Sequence, residues 1–202
     1  MTLIIKKFEL EEFYIRWNEK AEAYGSNTLS DCFDKFFTLF VIFNKIYNVV
    51  VIDLIEKGKL SILKDQYNLK VRKRHKKEFP YEGGAATTCI AYYLRSELSS
   101  LNLSIETEIH KIKVLLINKE FQISFSYGDP SELNDKELLN KLRSSENFEI
   151  FESMLKVLYN LRCNLFHGEK GFHPDQRMIL EPAISALSKI NNALISKIKQ
   201  DM

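Results

Sequence analysis

Arg162 and His167 stand five residues apart in the stretch YNLRCNLFHGEK, residues 159–170. On a wheel of 100° per residue centred on Arg162, Phe151, Leu155, Leu158, Leu165 and Phe166 all fall within about 60°. Arg162 therefore points toward the apolar side of the helix that carries it. A guanidinium keeps its proton, so it must reach a carboxylate, backbone carbonyls or a bound anion, or else bear a desolvation cost. Two readings follow: an Arg at the rim of the core with its stem over apolar neighbours, or an Arg aimed at an anion. His167 lies about 140° further round an ideal helix, and the pair shares a face only if the helix ends between them. Gly168 supplies a stop. A His in a last turn caps loose carbonyls, or moves a proton near neutral pH. Together the two residue types suit phosphoryl chemistry, with Arg neutralising phosphate charge and His handling protons.

A second candidate is KVRKRHKK, residues 70–77, with six Lys or Arg and no acid. Subtracting those six from the net charge of +2 leaves −4 for the rest, so the asymmetry is local. Arg72, Lys73, Arg74, Lys76 and Lys77 form a strip suited to RNA phosphates, and Tyr67, Phe79 and Tyr81 stand near enough in sequence to stack on bases. A solvated face is the other reading of the same strip. His75, His110, His167 and His173 show no metal-ligand spacing with a neighbouring acid, so no metal and no cofactor is expected. Gly83-Gly84 lacks the pattern of a phosphate-cradling loop. Cys163, four residues before His167, is either a small buried thiol or a nucleophile.

The elements that must position these groups are mainly helical. A first helix spans 11–24. Thr28 and Asp31 make a capping-box start for a long helix over 28–57, in which Phe33, Phe36, Phe37, Phe40, Phe43, Tyr47, Val50, Val51 and Leu54 recur at three- and four-residue steps. Gly58 ends it. A shorter helix is expected from 60 into the basic stretch, a loop at 79–88, and helix again over 85–99. Over 111–127 the apolar run Ile112 to Ile117 and the alternation Phe121, Ile123, Phe125 predict an inserted β-hairpin. Asp129-Pro130-Ser131-Glu132 marks a helix restart, followed by helices over 135–143, 146–167 and 176–200.

The 202 residues fit a single domain over 1–202, with composition that excludes a disordered chain: 45% apolar, 28% charged, seven Gly and four Pro. The near-balanced charge excludes a global field that would by itself demand nucleic acid or membrane. Cys32, Cys89 and Cys163 form no disulfide framework or C-x-x-C pair, which favours a reducing, cytoplasmic setting. Lys6, Lys7, Glu9, Glu11 and Glu12 cut short any signal-like apolar run. The most apolar segment, residues 36–52, is interrupted by Thr38, Asn44, Lys45 and Asn48, and is expected to be a core helix rather than a membrane span.

The string Arg162-Cys163-Asn164-Leu165-Phe166-His167-Gly168 resembles the R-x4-6-H signature of the HEPN superfamily, the higher eukaryotes and prokaryotes nucleotide-binding domains, here with four intervening residues. FDKFFTLFVIFNKIYN, residues 33–48, resembles the long aromatic helix of these proteins, with an FN-x-x-Y pattern at Phe43, Asn44 and Tyr47. The two segments cover about a fifth of the chain. The resemblance implies a helical bundle, a homodimer that brings two motifs into one cleft, and a metal-independent endoribonuclease. Arg162 would hold the scissile phosphate and His167 would act as general base or acid, with Cys163, Asn164 and Lys170 in support. It also implies a toxin, abortive-infection or anti-phage role, with an antitoxin or defence-system protein as partner. Other relatives are noncatalytic modules that bind RNA, a nucleotide or a protein. Cys163 departs from the polar residue common after the motif Arg, with Asn164 one place later. Glu169 stands where relatives paired with a nucleotidyltransferase antitoxin carry Tyr.

Overall fold

The computed structural model describes residues 3–25, 28–74, 77–126, 129–166 and 175–201. Its helices are α1 (Leu3–Ala23), α2 (Leu29–Glu56), α3 (Leu60–Tyr67), α4 (Glu82–Gly84), α5 (Ile90–Tyr93), α6 (Leu98–Ser104), α7 (Glu106–Ile117), α8 (Glu132–Leu142), α9 (Asn147–Phe166) and α10 (Gln176–Asp201). A π-helical turn, Ala85–Cys89, joins α4 to α5. Strands β1 (Val71–Arg74) and β2 (Lys77–Pro80) pair antiparallel, as do the two-residue strands β3 (Phe125–Ser126) and β4 (Asp129–Pro130). The fold is thus mainly α with a small hairpin.

α2 is the central element. Thr28 and Asp31 each accept from the other's backbone N–H at 3.1 Å, so the expected capping box forms, and Gly58 at φ +66° follows the helix end. Its stripe of Phe36, Leu39, Phe40, Phe43, Ile46, Tyr47, Val50 and Leu54 is buried against α1, α10, α5 and the π turn. Removing each large side chain from water contributes about 1.5–3 kcal/mol. Among the described residues α2 alone is long and apolar enough to cross a membrane by length and composition, so the polar interruptions do not lower its hydropathy below that of a span. With 56% of its most apolar window inside the fold, it is laid out as a core helix.

Only the last part of the expected hairpin forms, where Phe125 and Ser126 pair with Pro130 and Asp129. Residues 111–117 belong to α7, because Ile109, Ile112, Leu115 and Leu116 are buried at helical spacing. A continuous apolar run does not by itself distinguish buried strand from buried helix. The alternating part is extended chain: Phe121 and Ile123 are buried, but the N–H groups of Ile123 and Ser124 donate to the Asp135 carboxylate at 3.1 and 2.8 Å instead of to a partner strand. The larger hairpin is the basic stretch, expected to be helical. Asn68 at φ +52° ends α3, and Val71↔Pro80, Arg72↔Phe79, Lys73↔Glu78 and Arg74↔Lys77 pair across it. In a helix, Lys70 with Arg74, Arg72 with Lys76 and Lys73 with Lys77 would stack like charges at i,i+4, which the strand avoids.

Two other expectations shift. The helix over 85–99 starts at Glu82 and breaks at residues 94–97, where the Arg95 guanidinium donates to the Tyr92 carbonyl at 2.9 Å. Ser131, not Asp129, caps α8, accepting from Asn134 N–H at 3.5 Å, while Pro130 sits in β4. Helices α9 and α10 lie where the apolar periodicity puts them, with Pro182 inside α10.

Glu108 on α7 is 8% exposed and its Oε1 accepts from Ser185 at 2.6 Å and Lys189 at 2.7 Å, tying α7 to α10. Burial alone would raise this carboxyl. The bonds from Lys189 and Ser185, its own backbone N–H and the Lys189 charge outweigh burial and hold it below the ordinary carboxylate range. A carboxyl depressed on folding contributes stability above its unfolded pKa, about 4.3, and that stability is lost as pH falls through the folded value. Urea titrations at neutral pH and below about pH 4 should therefore show Glu108→Gln less stable than wild type at neutrality and closer to it in acid. Parallel pH curves for the two proteins would show that the ion pair does not carry the dependence.

Candidate functional site

Arg162 leaves α9 near its described C-terminal end, on the side predicted by the wheel. Phe151, Leu155 and Leu158 are fully buried in the chain's own core, so a second copy is not needed to cover them. The Arg162 side chain is 23% exposed; its guanidinium carbon lies 5.9 Å from the centre of the Phe40 ring on α2, and Nη2 is 3.7 Å from Glu82 Oε1. The same Glu82 oxygen accepts from Tyr47 Oη at 3.2 Å. Arg162 Nη1 also reaches Cys163 Sγ at 3.9 Å. The cluster thus joins three separated segments: α2, the turn after β2, and the end of α9.

Electrostatics assigns the roles. Burial, then the Glu82 charge and its hydrogen bond, push the Tyr47 phenol well above its usual range. Burial, then Cys163 and Glu82, do the same to Tyr159. Both phenols stay protonated and act as donors, not bases. Burial opposes the Arg162 charge, but its bond to Cys163 and the Glu82 carboxylate more than compensate, so the guanidinium is held in its charged form. A part-exposed ion pair at 3.7 Å contributes only about 0–1 kcal/mol. A phosphate making charge-assisted, bidentate bonds with Arg is a stronger partner and can take the place of Glu82.

Beside the cluster, a cleft of about 680 Å³ opens between α2 and the hairpin. Tyr47, Asn48 and Glu82 line one side and Arg72, Lys77 and Phe79 the other. Pairing across the hairpin explains the selection: Arg72 is opposite Phe79 and shares its face, while Lys73 is opposite Glu78 on the other. Glu78 is in turn bound to Lys64 at 2.8 Å. Two of the five strip cations therefore face the cleft and Lys73 does not. The side chain of Arg74, and Lys76, lie outside the described residues, as do His167 and Lys170.

Asn164, expected to support the site, has a different partner. It is 5% exposed, and its Nδ2 donates to the Ile123 carbonyl at 2.7 Å, fixing the extended segment before β3 to α9. Cys163 is a free, half-buried thiol. Glu82 and Tyr159 were not singled out by the sequence; Glu82 sits in a Gly-rich loop 80 positions from Arg162, and only tertiary packing joins them. Among the described residues no three His, Cys, Asp or Glu converge where they could hold a metal ion. Compared with known proteins, the chain matches no family model, no curated protein and no solved structure.

The Asn164 bond makes a direct structural prediction. Asn164→Ala leaves the buried Ile123 carbonyl without its donor and should cost about 1–3 kcal/mol, read as a lower urea midpoint. An unchanged midpoint would mean that the segment is held without the amide.

Proposed function

We propose that the chain is a HEPN-type RNA-binding endoribonuclease that works at the Arg162 cluster. The observation that carries this reading is the placement of Arg162. A half-buried, permanently charged guanidinium stands at the end of α9, one side chain from a cleft whose far wall carries Arg72 and Lys77. A phosphodiester needs such a fixed cation at the reacting phosphorus and mobile cations along the flanking backbone. The meeting of the Phe40–Tyr47 face of α2 with Arg162 also supports it, since these are the two segments that carry the family resemblance.

In the proposed reaction the ribose 2′-oxygen attacks phosphorus, its proton passes to His167, and the bond to the 5′-oxygen breaks as that oxygen takes a proton from water. The products are a 2′,3′-cyclic phosphate and a 5′-hydroxyl. Arg162 stabilises the charge that develops on the phosphoryl oxygens. Glu82 orients Arg162 until RNA displaces it, and Tyr47 keeps Glu82 in place. A cytoplasmic toxin or anti-phage role, with an antitoxin or defence-system partner, accords with such an activity. The noncatalytic reading is favoured by one observation: Glu82 already occupies Arg162, as a structural rim Arg would be occupied.

Cleavage assays separate these readings. Wild type should cut RNA in EDTA and leave cyclic phosphate ends. His167→Ala should lose on the order of 100-fold or more in rate while still binding, whereas Arg162→Ala should impair both steps. Arg72→Gln combined with Lys77→Gln should weaken binding and flatten its salt dependence more than Lys73→Gln does. Equal cleavage by wild type and His167→Ala would assign the activity to a contaminant. Binding without cleavage, restored to cleavage by Cys163→Asn, would locate the defect at the residue after Arg162.

The proposal includes a homodimer in which a second α9 end completes the cleft. Light scattering at micromolar concentration should then give about twice 23.7 kDa. A monomer that cleaves RNA at full rate would remove the second copy from the mechanism.

A further inference from the structure

On the opposite side of the turn that carries Glu82 lies a second groove, of about 750 Å³. The two grooves share a thin wall. Along it, Phe79, Pro80 and Glu82 line the first cleft, while Tyr81, Gly83 and Gly84 line the second. The same division appears on the incoming strand, where Arg72 belongs to the first and Lys70, just before β1, to the second. On α9, Tyr159 and Asn160 face the second groove one turn before Arg162. The two depressions are therefore consecutive stations along one surface, with the Arg162 cluster at their boundary.

Gly83 and Gly84 place bare backbone in the lining of the second groove. A Cβ on Gly84 would come within 2.7 Å of Leu69 Cδ1, so a side chain there would displace the Leu69 methyl. A Cβ on Gly83 would meet the Tyr159 ring at 3.6 Å, an ordinary contact, so packing against Tyr159 does not require Gly there. Bare backbone at Gly83 keeps the sill between the grooves free of side chain.

The lining has the chemistry of a single-strand nucleic acid station. Lys70, Lys141 and Lys156 stand against Glu137 and Glu152. Glu152, 13% exposed, is already satisfied by Thr88 Oγ1 at 2.6 Å and Lys156 Nζ at 2.9 Å, so the inner acid is neutralised inside the groove. Lys70 and Lys141 form no ion pair among the described residues and remain as exposed cations beside one exposed acid, Glu137, so the lining keeps a small positive excess. Of the aromatic residues near the strip, Tyr67 is committed to Phe148 and Tyr92, with ring centres 4.5 and 5.8 Å away. Tyr81 is different: it is 51% exposed, and Arg72 lies 5.7 Å from its ring. An exposed ring between two cationic grooves is a stacking platform, and each base stacked on such a ring contributes about 1–3 kcal/mol.

We infer that the second groove binds the next nucleotides of the same single RNA strand, with Tyr81 stacking a base at the sill and Lys70 and Lys141 holding phosphates beyond it. This rests on the RNA reading of the Arg162 cluster and extends it: the substrate is a single strand long enough to cross the Gly83 sill, and duplex or very short RNA engages only the first cleft. A free mononucleotide would satisfy the same lysines and ring, so the test must distinguish the two sources.

Fluorescence anisotropy with labelled oligoribonucleotides of about 3 to about 12 residues does so. With wild type, affinity should rise with length and then level off. Lys70→Gln combined with Lys141→Gln should weaken the longest oligonucleotides about tenfold and reduce their salt slope, leaving the shortest unchanged. Tyr81→Ala should lose a similar factor and Tyr81→Phe should restore it, with thermal melts confirming that each variant is folded. Long oligonucleotides bound equally by the lysine variant and wild type would take the groove off the RNA path while leaving the Arg162 reading intact. Uridine monophosphate bound in a Lys141-dependent way, without any gain from RNA length, would make it a nucleotide site and overturn the inference. No binding of any RNA by wild type would remove the RNA reading itself, and this extension with it.

Discussion

Almost everything in this fold follows from the need to cover α2 on more than one side. Its buried residues include Phe36, Leu39, Phe40, Phe43, Ile46, Tyr47 and Val50, a spread too broad for a single partner helix. α1 and α10 take one part of that surface, and the π turn with α5 takes another. The small residues Ala85, Ala86, Thr87 and Thr88 are all buried, and such short side chains let the π turn lie close between α2 and α9. Once α2 is enclosed in this way, its Phe40–Tyr47 face meets the end of α9 and the turn before the π segment. The Arg162 cluster is a consequence of that packing, placed at the edge where the cover ends and solvent begins.

That edge explains how a charged group is tolerated there. Arg162 rests on Phe40 and is kept charged by Glu82 and Cys163, while its 23% exposure preserves part of its hydration. A deeper position would strip that hydration and demand closer ion pairing to offset the desolvation cost. A fully exposed one would lose the orientation that Phe40 and Glu82 impose. The observed arrangement is intermediate, oriented by Phe40 and Glu82 yet still partly hydrated. The two phenols, both raised far above neutrality, add hydrogen-bond donors without adding negative charge.

Legibility in the sequence followed the range of the interactions. The capping box of Thr28 and Asp31, the stop at Gly58 and the apolar side chosen by Arg162 are set within one or two turns of chain, and local spacing predicts them. The hairpin was misplaced because two competing signals were non-local. Residues 112–117 are helical since their burial is against α10 and α8, which no window of the sequence contains. Residues 121–124 have the alternation of a strand, yet the Ile123 and Ser124 N–H groups bond the Asp135 side chain and the Ile123 carbonyl the Asn164 side chain. The basic strip was named correctly for its charge and wrongly for its conformation, and conformation decides that Arg72 and Lys77 face the cleft while Lys73 turns toward Glu78. Glu82 had no local mark at all beyond its place in a Gly-rich loop.

The Asn164 contact shows how a residue beside a site can matter without touching a ligand. Two positions after Arg162, its amide reaches the Ile123 carbonyl, and the next two N–H groups of that segment, Ile123 and Ser124, are held by Asp135 near the start of α8. Ser124 also accepts from the Ser131 N–H at 2.9 Å, closing the connection on the cap of α8. The end of α9 is thereby tied through a buried amide and a carboxylate to a second helix, while Arg162 on another face is tied to Phe40 of α2 and Glu82 of α4. Anchored on two sides, the turn that carries Arg162 presents the guanidinium from a fixed backbone. Precision at the cluster thus comes from polar contacts that are themselves buried and remote from the cleft, and the apolar core around α2 supplies the frame to which those contacts attach.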